Sequence, residues 1–323
     1  MVSALGNIVL GILAQALHVA VVLLAAPVAV GWVRFVKARL LGRRGPPVMQ
    51  PWRDLLRLAR KQPVLADNAS VVFRAAPLVT LAATAAAAAL VPSYTLGMGL
   101  GPVSDLLVIA GLLTLGRCAT ALAGMDVGTA FGGIGSSREM TFSVYAEPAL
   151  LLVIFTLALL VGSTNLDAIA AMLRDGNLGL RVSLGLAAVA LLTVAIAENG
   201  RIPVDNPATH LELTMVHEAM VLEYSGRDLA LVDAGAALKL LVWLSLIATI
   251  FCPFGMARAD EPLFWLLGLV FWLGKVAFLA AALAVFETSI AKMRVFRVPE
   301  FLGVAVLLGL LAAVFLFLST GIA

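Results

Sequence analysis

Ionisable residues inside long apolar runs are the first chemical feature of this sequence. Glu147 and Glu198 lie at the ends of two runs, Lys239 and Lys275 lie within two later runs, and Glu287 ends the last of these. Charge is costly to place in a bilayer, so each of these residues is a hypothesis about function. In one interpretation a lysine neutralises a glutamate and pins two helices. In the other, several such groups in one half of a bundle form a proton path or coupling relay.

The segment 198–226 carries the densest set of polar groups. Its acids and histidines are Glu198, Asp205, Glu212, Glu218, Glu223, His210 and His217. Pro203 and Pro207 keep its start out of regular helix, whereas 208–223 is predicted to be helical. The apolar residues among the acids predict that this segment folds back against the bundle.

Motifs for metal or phosphate chemistry are incomplete. His217 and Glu218 begin an HExxH pattern, but residue 221 is valine instead of the second histidine. The two cysteines form no CxxC pair, so no metal site is expected in this chain. The glycine-rich stretch 124–137 matches no phosphate-binding motif and is predicted to be a flexible loop. His18, within the first apolar run, is interpreted as a hydrogen-bonded interior residue.

Composition places these residues in a membrane protein. Hydrophobic residues make up 62% of the 323 positions and charged residues only 13%, far from the balance of a soluble domain. The sequence therefore predicts an all-α integral membrane protein, a single membrane domain over 1–323 with about eight transmembrane helices. The predicted spans are 7–33, 75–92, 104–123, 144–163, 181–197, 231–252, 263–285 and 301–319.

The distribution of Lys and Arg predicts the orientation. Basic residues concentrate in the loops at about 34–74, 124–143, 198–230 and 286–300, and only Arg174, Arg181 and Arg258 lie on the other side. By the positive-inside rule the four loops are cytoplasmic, and an even number of spans puts both termini on the outer, periplasmic side. This clustering is typical of membrane proteins and does not indicate nucleic-acid binding.

The first of these loops contains a predicted amphipathic helix over 51–61. Trp52, Leu55 and Leu56 fall on one face with Ala59, while the arginines occupy another. Such a helix either lies on anionic headgroups or forms a docking surface for a cytoplasmic partner.

Two long segments resemble a known family. The quinone-site membrane subunit of respiratory complex I has a signature loop similar to AENGRIPVDNPATHLELTMVHEAMVLEYSG, and a Gly-Arg-x-Gly-Pro loop and Gln-Pro helix similar to LLGRRGPPVMQPWRDLLRL. The sequence is more similar to the homologous subunit of group 4 membrane-bound [NiFe] hydrogenases of the formate hydrogenlyase and hydrogenase-4 type. Residues 42–47 lack the Gly-Pro-Asn-Arg of complex I, residues 205–210 lack two of its carboxylates, and the spacing from Glu212 to Glu223 is longer.

The resemblance implies a membrane-anchoring and coupling subunit in a bacterial or archaeal inner membrane. It implies that Glu147, Glu198, Asp205, Glu212 and Glu223 line a coupling path, to which the residue types add Lys239, Lys275 and Glu287; Asp126 and Glu139 match the family less cleanly. The residues expected to dock partners are Arg43, Arg44, Pro46, Pro47, Gln50, Arg53, Arg57, Arg201, His210 and His217.

The implied partners are the peripheral [NiFe] large subunit and iron–sulfur small subunit on the cytoplasmic face, antiporter-like subunits in the membrane, and the lipid bilayer. The NiFe centre and the iron–sulfur clusters are expected in those partner subunits, with no cofactor in this chain. One alternative is the quinone-binding subunit of complex I, with a tunnel entered between the first span and the Pro51 helix. A second alternative is a stand-alone ion transporter.

Overall fold

The computed structural model describes residues 2–176, 181–205 and 215–321. Their helices are α1 (Val2–Leu40), α2 (Gln50–Ala59), α3 (Val71–Leu90), α4 (Leu106–Asp126), α5 (Ala130–Val161), α6 (Leu166–Asp175), α7 (Val182–Glu198), α8 (His217–Val221), α9 (Gly226–Phe251), α10 (Trp265–Ser289) and α11 (Val298–Gly321). Short 3-10 turns cover Gly101–Val103, Pro262–Phe264 and Val295–Arg297.

The prediction of an all-α membrane protein is confirmed. Seven of these helices are long and apolar enough to cross a membrane: α1, α3, α4, α5, α9, α10 and α11. The apolar helix α7 has 17 residues, which is at the lower limit of about 17 residues for a span. With α7 the described residues provide eight spans, and the orientation of the termini stays a prediction.

Helix α9 forms the centre of the bundle. It packs against α1, α2, α3 and α10, and its residues from Ala237 to Ile250 are almost all buried. The alanine-rich α3 packs against α4 and α9, because small side chains let membrane helices approach closely. A second group forms where α11 packs against α5 and α7.

The predicted flexible loop at 124–137 is wrong, because α5 already begins at Ala130. Thr129 caps the helix by accepting a hydrogen bond from the Gly132 amide at 3.2 Å, and Gly128 makes the preceding turn at a φ of 71°. Gly132 lies against the end of α4, where an added Cβ would come within 2.0 Å of the Gly124 carbonyl oxygen. Gly132 therefore serves the close packing of α4 and α5.

The predicted amphipathic helix in the first loop is confirmed as α2. Pro51 in its first turn is buried, and the Trp52 indole donates a hydrogen bond to the Leu24 carbonyl of α1 at 3.1 Å. Helix α2 packs against α1 and α9, with Trp52 and Leu55 partly buried, whereas Leu56, Ala59 and the arginines are exposed.

The described parts of the segment 198–226, which are residues 198–205 and 215–226, fold back against the bundle as predicted. Met215, Val216, Ala219 and Met220 are buried, and α8 packs against α4 and α5. Of the helix predicted over 208–223, the described part is helical only over His217–Val221, and the amides of Val216 and His217 at its start bond to Asp205.

Two short strands close the opposite end of the bundle. β1 (Thr95–Leu96) pairs in parallel with β2 (Ala257–Arg258). Helix α6 lies beside them, where the Asp167 carboxylate accepts a hydrogen bond from the Gly97 amide at 2.8 Å. Burial raises the pKa of Asp167, and the Gly97 bond opposes that rise only in part.

Candidate functional site

Arg117 on α4 lies at the centre of a buried cluster of charged side chains. Its Nη2 lies 2.7 Å from Glu147 Oε1 on α5, and its Nη1 is hydrogen-bonded to Glu198 at the end of α7. Only 5% of the Arg117 side chain is exposed. A buried guanidinium requires carboxylate partners, so these contacts join three helices through one side chain.

Lys239 brings α9 into the same cluster. Its Nζ lies 3.1 Å from Glu198 Oε2, and the Glu198 side chain is only 5% exposed. The predicted neutralisation of a lysine by a glutamate is therefore observed for this pair. Glu198 balances two cations at once, so a change in its protonation alters the field at both Arg117 and Lys239.

A cavity of about 650 Å³ extends from this cluster along α1, α2 and α9. Arg117, Glu198 and Lys239 form one part of its wall, and Pro27, Val30, Val33 and Leu55 provide apolar surface elsewhere. Its other ionisable lining residues are Arg34, Lys37, Arg43, Asp54, Glu139, Arg201, His217, Glu218, Asp233 and Glu287.

Glu139 lines the cavity and forms no hydrogen bond or ion pair within the described residues. It lies on α5, within the cytoplasmic loop predicted at about 124–143. Glu139 therefore faces the cavity without the fixed cationic partners that hold Glu198.

Glu287 lies at the centre of a second charge cluster near the C-terminal end of α10. Its carboxylate lies 3.1 Å from Lys37 Nζ and 3.4 Å from Arg201 Nη1, and its side chain is 3% exposed. Burial lowers the pKa of Arg201, which the Glu287 charge opposes and the nearby Arg34 charge reinforces.

Asp205 connects three chain segments through the bonds of its carboxylate. Its Oδ2 accepts hydrogen bonds from the amides of Val216 at 3.1 Å and His217 at 3.3 Å, while Oδ1 lies 3.3 Å from Lys292 Nζ. The Met293 amide also donates to the Pro203 carbonyl at 2.9 Å. These bonds fix the position of α8 beside the cavity.

The His217 ring is neutral at pH 7. Burial lowers its pKa below the usual 6.5, and the positive charge of Lys239 adds to that effect, while Glu218 and Asp205 oppose it. A neutral imidazole can both accept and donate a proton within the cavity wall.

The predicted path residues do not all come together. Glu147, Glu198, Lys239, Asp205 and Glu287 lie in or directly against the clusters described above. Lys275 instead donates to the Phe254 carbonyl and lies 4.5 Å from the centre of the Phe254 ring. Glu223 is exposed and does not line the cavity, and Glu212 lies outside the described residues.

The predicted docking residues divide into two groups. Arg43, Arg44, Pro46, Pro47, Arg53 and Arg57 are exposed, with Gln50 partly so. Arg201 and His217 instead form part of the cavity wall, and His210 lies outside the described residues.

Several cavity residues were missed as site residues at the level of sequence. The sequence identifies Lys37 only as one of the basic residues of the first loop, and it gives no prediction for Asp54 or Asp233. Asp233 could have been identified from the sequence, because an aspartate near the start of a membrane helix, here α9, is itself a hypothesis about function. Asp126 has a different position: its carboxylate accepts bonds from the Ser70 amide and hydroxyl, at 2.8 and 2.6 Å, and ties α4 to the start of α3.

His18 is the hydrogen-bonded interior residue that was predicted. Its Nδ1 lies 2.7 Å from Ser93 Oγ and its Nε2 lies 3.0 Å from the Ala88 carbonyl oxygen. A carbonyl only accepts, so Nε2 carries the proton in the neutral ring.

Known proteins match almost the whole chain. A family model described as NADH dehydrogenase covers residues 13–319. Hydrogenase-4 component C of Escherichia coli K12 is 34% identical over 290 residues, 90% of either chain. Formate hydrogenlyase subunit 4 of the same organism is 34% identical over 275 residues, 85% of this chain and 89% of that protein.

The fold also has a solved counterpart. A chain of the membrane-bound sulfane sulfur reductase, an archaeal respiratory membrane complex, superposes with a TM-score of 0.79 at 21% identity, covering 94% of this chain and 98% of that one. The sequence match and the eight apolar helices lead to one conclusion: this chain is a multi-pass inner-membrane protein that belongs to the NADH dehydrogenase family, the family of complex I subunit 1/H.

Proposed function

We propose that this chain is the membrane-anchoring and coupling subunit of a group 4 membrane-bound [NiFe] hydrogenase complex of the formate hydrogenlyase or hydrogenase-4 type. The observation that carries the proposal is the run of ionisable groups from the cavity, through Lys239, Glu198 and Arg117, to Glu147. Identity of 34% to two proteins named for such hydrogenases supports this branch of the family.

The cytoplasmic end of this run suits a docked redox arm. Exposed arginines of the first loop surround the cavity on the side predicted to be cytoplasmic, with Arg43 in its wall. A peripheral hydrogenase placed there would bring its redox reactions next to the cavity. The NiFe centre and the iron–sulfur clusters would belong to that arm, and this chain would contribute the wall of ionisable side chains.

Glu147, at the far end of this run of ionisable groups, could contact a neighbouring subunit within the membrane. Glu147 is 42% exposed, yet it lies about 21 Å along α5 from the helix end at Val161, inside a hydrocarbon core of about 30 Å. Pro148 leaves the Val144 carbonyl without its intrahelical donor on the same exposed side. Lipid tails satisfy neither group, so a polar side chain of an adjoining antiporter-like subunit is the fitting neighbour.

Coupling would follow from the shared role of Glu198. Protonation of this carboxylate removes the negative charge that faces Arg117 and Lys239, and both cations then repel further positive charge. Glu147 becomes the remaining counter-ion of Arg117, so an event at the cavity changes the electrostatic field at the membrane face of α5.

The substitution Glu198→Gln tests this proposal. Glutamine keeps the size of the side chain but removes its charge, so we expect hydrogen evolution and any coupled ion translocation to fall by about tenfold or more, equivalent to ~1.4 kcal/mol. The tagged complex should retain its peripheral subunits. Glu300→Gln, an exposed carboxylate at the start of α11, is the matched control. Wild-type turnover and translocation in an assembled Glu198→Gln complex would exclude a coupling role for the cluster.

A quinone-binding subunit is the second candidate, and the cavity is the observation that favours it. Its volume of about 650 Å³ is within the usual range for small-molecule sites, about 300–1,000 Å³. Pro27 and Val30 of α1 and Pro51 and Leu55 of α2 line it, which matches the location expected for the entrance of a quinone tunnel. A bound quinone would accept electrons and protons there, with the apolar side chains holding its ring and tail.

A further inference from the structure

The cytoplasmic end of the cavity carries unbalanced positive charge. Lys37 and Arg201 share the single carboxylate of Glu287, and Asp54 is engaged by Arg57 at 3.0 Å. Arg34 and Arg43 line the same region, are exposed, and form no ion pair with any described residue.

Arg34 and Arg43 differ from the other cations of the cavity wall because no described carboxylate forms an ion pair with them. Lys37 and Arg201 pair with Glu287, and Arg117 and Lys239 pair with Glu198. The like charge of Arg34 also contributes to the lowered pKa of Arg201. A bound anion relieves this repulsion, whereas a neutral ligand does not.

Aromatic side chains beside this charge are typical of the level of the lipid headgroups. In the sequence of α1, Arg34 is flanked by Trp32 and Phe35. The rings of these two residues stack with centroids 6.0 Å apart. Arg39 covers the Phe35 ring at 5.1 Å, and the Trp32 indole donates to the Ala277 carbonyl at 3.0 Å. Tryptophan and arginine in such a band mark the boundary between hydrocarbon and water.

Apolar surface continues from these arginines toward the bilayer. Val30 and Val33 of α1 and Leu55 of α2 line the cavity directly beside Arg34. Leu24 is 61% exposed one turn before Pro27, at the point where Trp52 attaches α2 to α1. An amphiphile with an anionic head therefore finds both cations and an apolar channel in one place.

We propose that Arg34 and Arg43 bind the phosphate of an anionic membrane phospholipid, whose acyl chains lie along α1 and α2. Anionic lipids are enriched where polybasic segments meet a cytoplasmic leaflet, and two guanidiniums match one or two phosphates bidentately. This inference concerns a lipid site at the edge of the cavity and does not depend on the proposed hydrogenase function. The lipid would fix the position of α2 against α1.

Lipid retention by the purified complex tests the proposal. The complex that co-purifies with the tagged chain is reconstituted in phosphatidylcholine nanodiscs containing a minor fraction of phosphatidylglycerol or cardiolipin, extracted in mild detergent, and examined by native mass spectrometry. The substitution pair Arg34→Gln/Arg43→Gln should lower retained anionic lipid by about fivefold for each arginine. Arg60→Gln/Arg74→Gln removes two exposed arginines outside the cavity and should retain lipid like the wild type.

Two further experiments distinguish lipid binding from a folding defect and from the binding of free anions. Arg34→Lys/Arg43→Lys keeps both charges, so it should recover most of the retention lost with glutamine. Equal retention of phosphatidylcholine and anionic lipid by the wild type would overturn the proposal, as would equal losses in the two glutamine pairs. Displacement of the lipid by millimolar inorganic phosphate would overturn it too, because the site would then recognise free phosphate without the acyl chains.

Discussion

Asp205 shows how one buried side chain organises the cavity wall. It is 2% exposed and its oxygens bond to the backbone of Val216 and His217 and to Lys292. The two amides precede the short helix α8 and have no earlier helical turn to accept them. The contacts indicate that Asp205 positions His217 and Glu218, in addition to any role in a proton path.

Substitutions of Asp205 separate these two roles. Asp205→Ala leaves two amides without acceptors at about 1–3 kcal/mol each, so we expect a loss of about 2–6 kcal/mol of stability. Asp205→Asn retains an oxygen that accepts both amides, and should keep most of the stability and of the hydrogen-evolving activity. Thermal unfolding of the purified protein and activity of the complex are the measurements.

The exposed residue Asp67 provides the control for this pair, since Asp67→Ala removes a carboxylate without buried contacts. If Asp205→Asn folds and assembles normally but has no activity, the carboxylate of Asp205 is itself required and the positioning role is insufficient.

The types of residue predicted many members of the charge clusters, whereas the sequence did not predict which residues pair with each other. Glu198 and Lys239 stand out because charge is rare in apolar runs, and one of the two interpretations is that Lys239 or Lys275 pairs with a glutamate, without specifying which one. Arg117 as a common partner depends on how α4, α5 and α7 are rotated about their axes, which no single sequence specifies. Lys275 and Glu223 were grouped with the others on type alone, and the structure places them elsewhere.

The start of α5 illustrates a limit at the level of elements. Long apolar runs predicted the seven helices that are long enough to cross a membrane and the shorter apolar helix α7, because length and hydropathy determine a membrane helix almost by themselves. The first turns of α5 were missed since glycine is usually unfavourable in helices. Contact with α4 and α8 compensates here: added Cβ atoms at Gly132 and Gly135 would approach the carbonyl oxygens of Gly124 and Val216 to 2.0 and 2.8 Å.

Two adjacent glycines on α5 test this explanation. Gly132→Ala forces the end of α4 away, and we expect it to destabilise the protein by about 1–3 kcal/mol. Gly133 is exposed with no atom within 4 Å of an added Cβ. Gly133→Ala should therefore be neutral or stabilising by up to about 1 kcal/mol, since alanine favours helix. Unfolding midpoints of the two purified variants decide the matter, and equal midpoints would contradict a packing role for Gly132.

At the scale of the whole molecule, the bundle holds a cavity lined by charged side chains between apolar helices. Helix α9 supplies Lys239 and Asp233, while α1 supplies Arg34, the loop between α1 and α2 supplies Arg43, and both helices supply apolar wall. The same chamber thus suits either a relay of ionisable groups or a small amphipathic ligand. What distinguishes the two candidate functions is whether electrons ever reach this chain.

A quinone-site inhibitor of complex I makes that distinction in the assembled complex. In a hydrogenase the electrons pass to protons at the NiFe centre of the peripheral arm, so an inhibitor in the cavity blocks no electron carrier. We therefore expect hydrogen evolution from an artificial donor to change by less than about twofold, which is under ~0.5 kcal/mol in the barrier, while Glu198→Gln still lowers it. Extraction of the complex should yield quinone well below one molecule per chain. Stoichiometric quinone together with full inhibition would instead make the cavity a quinone site, because the apolar wall of α1 and α2 would then hold the terminal electron acceptor.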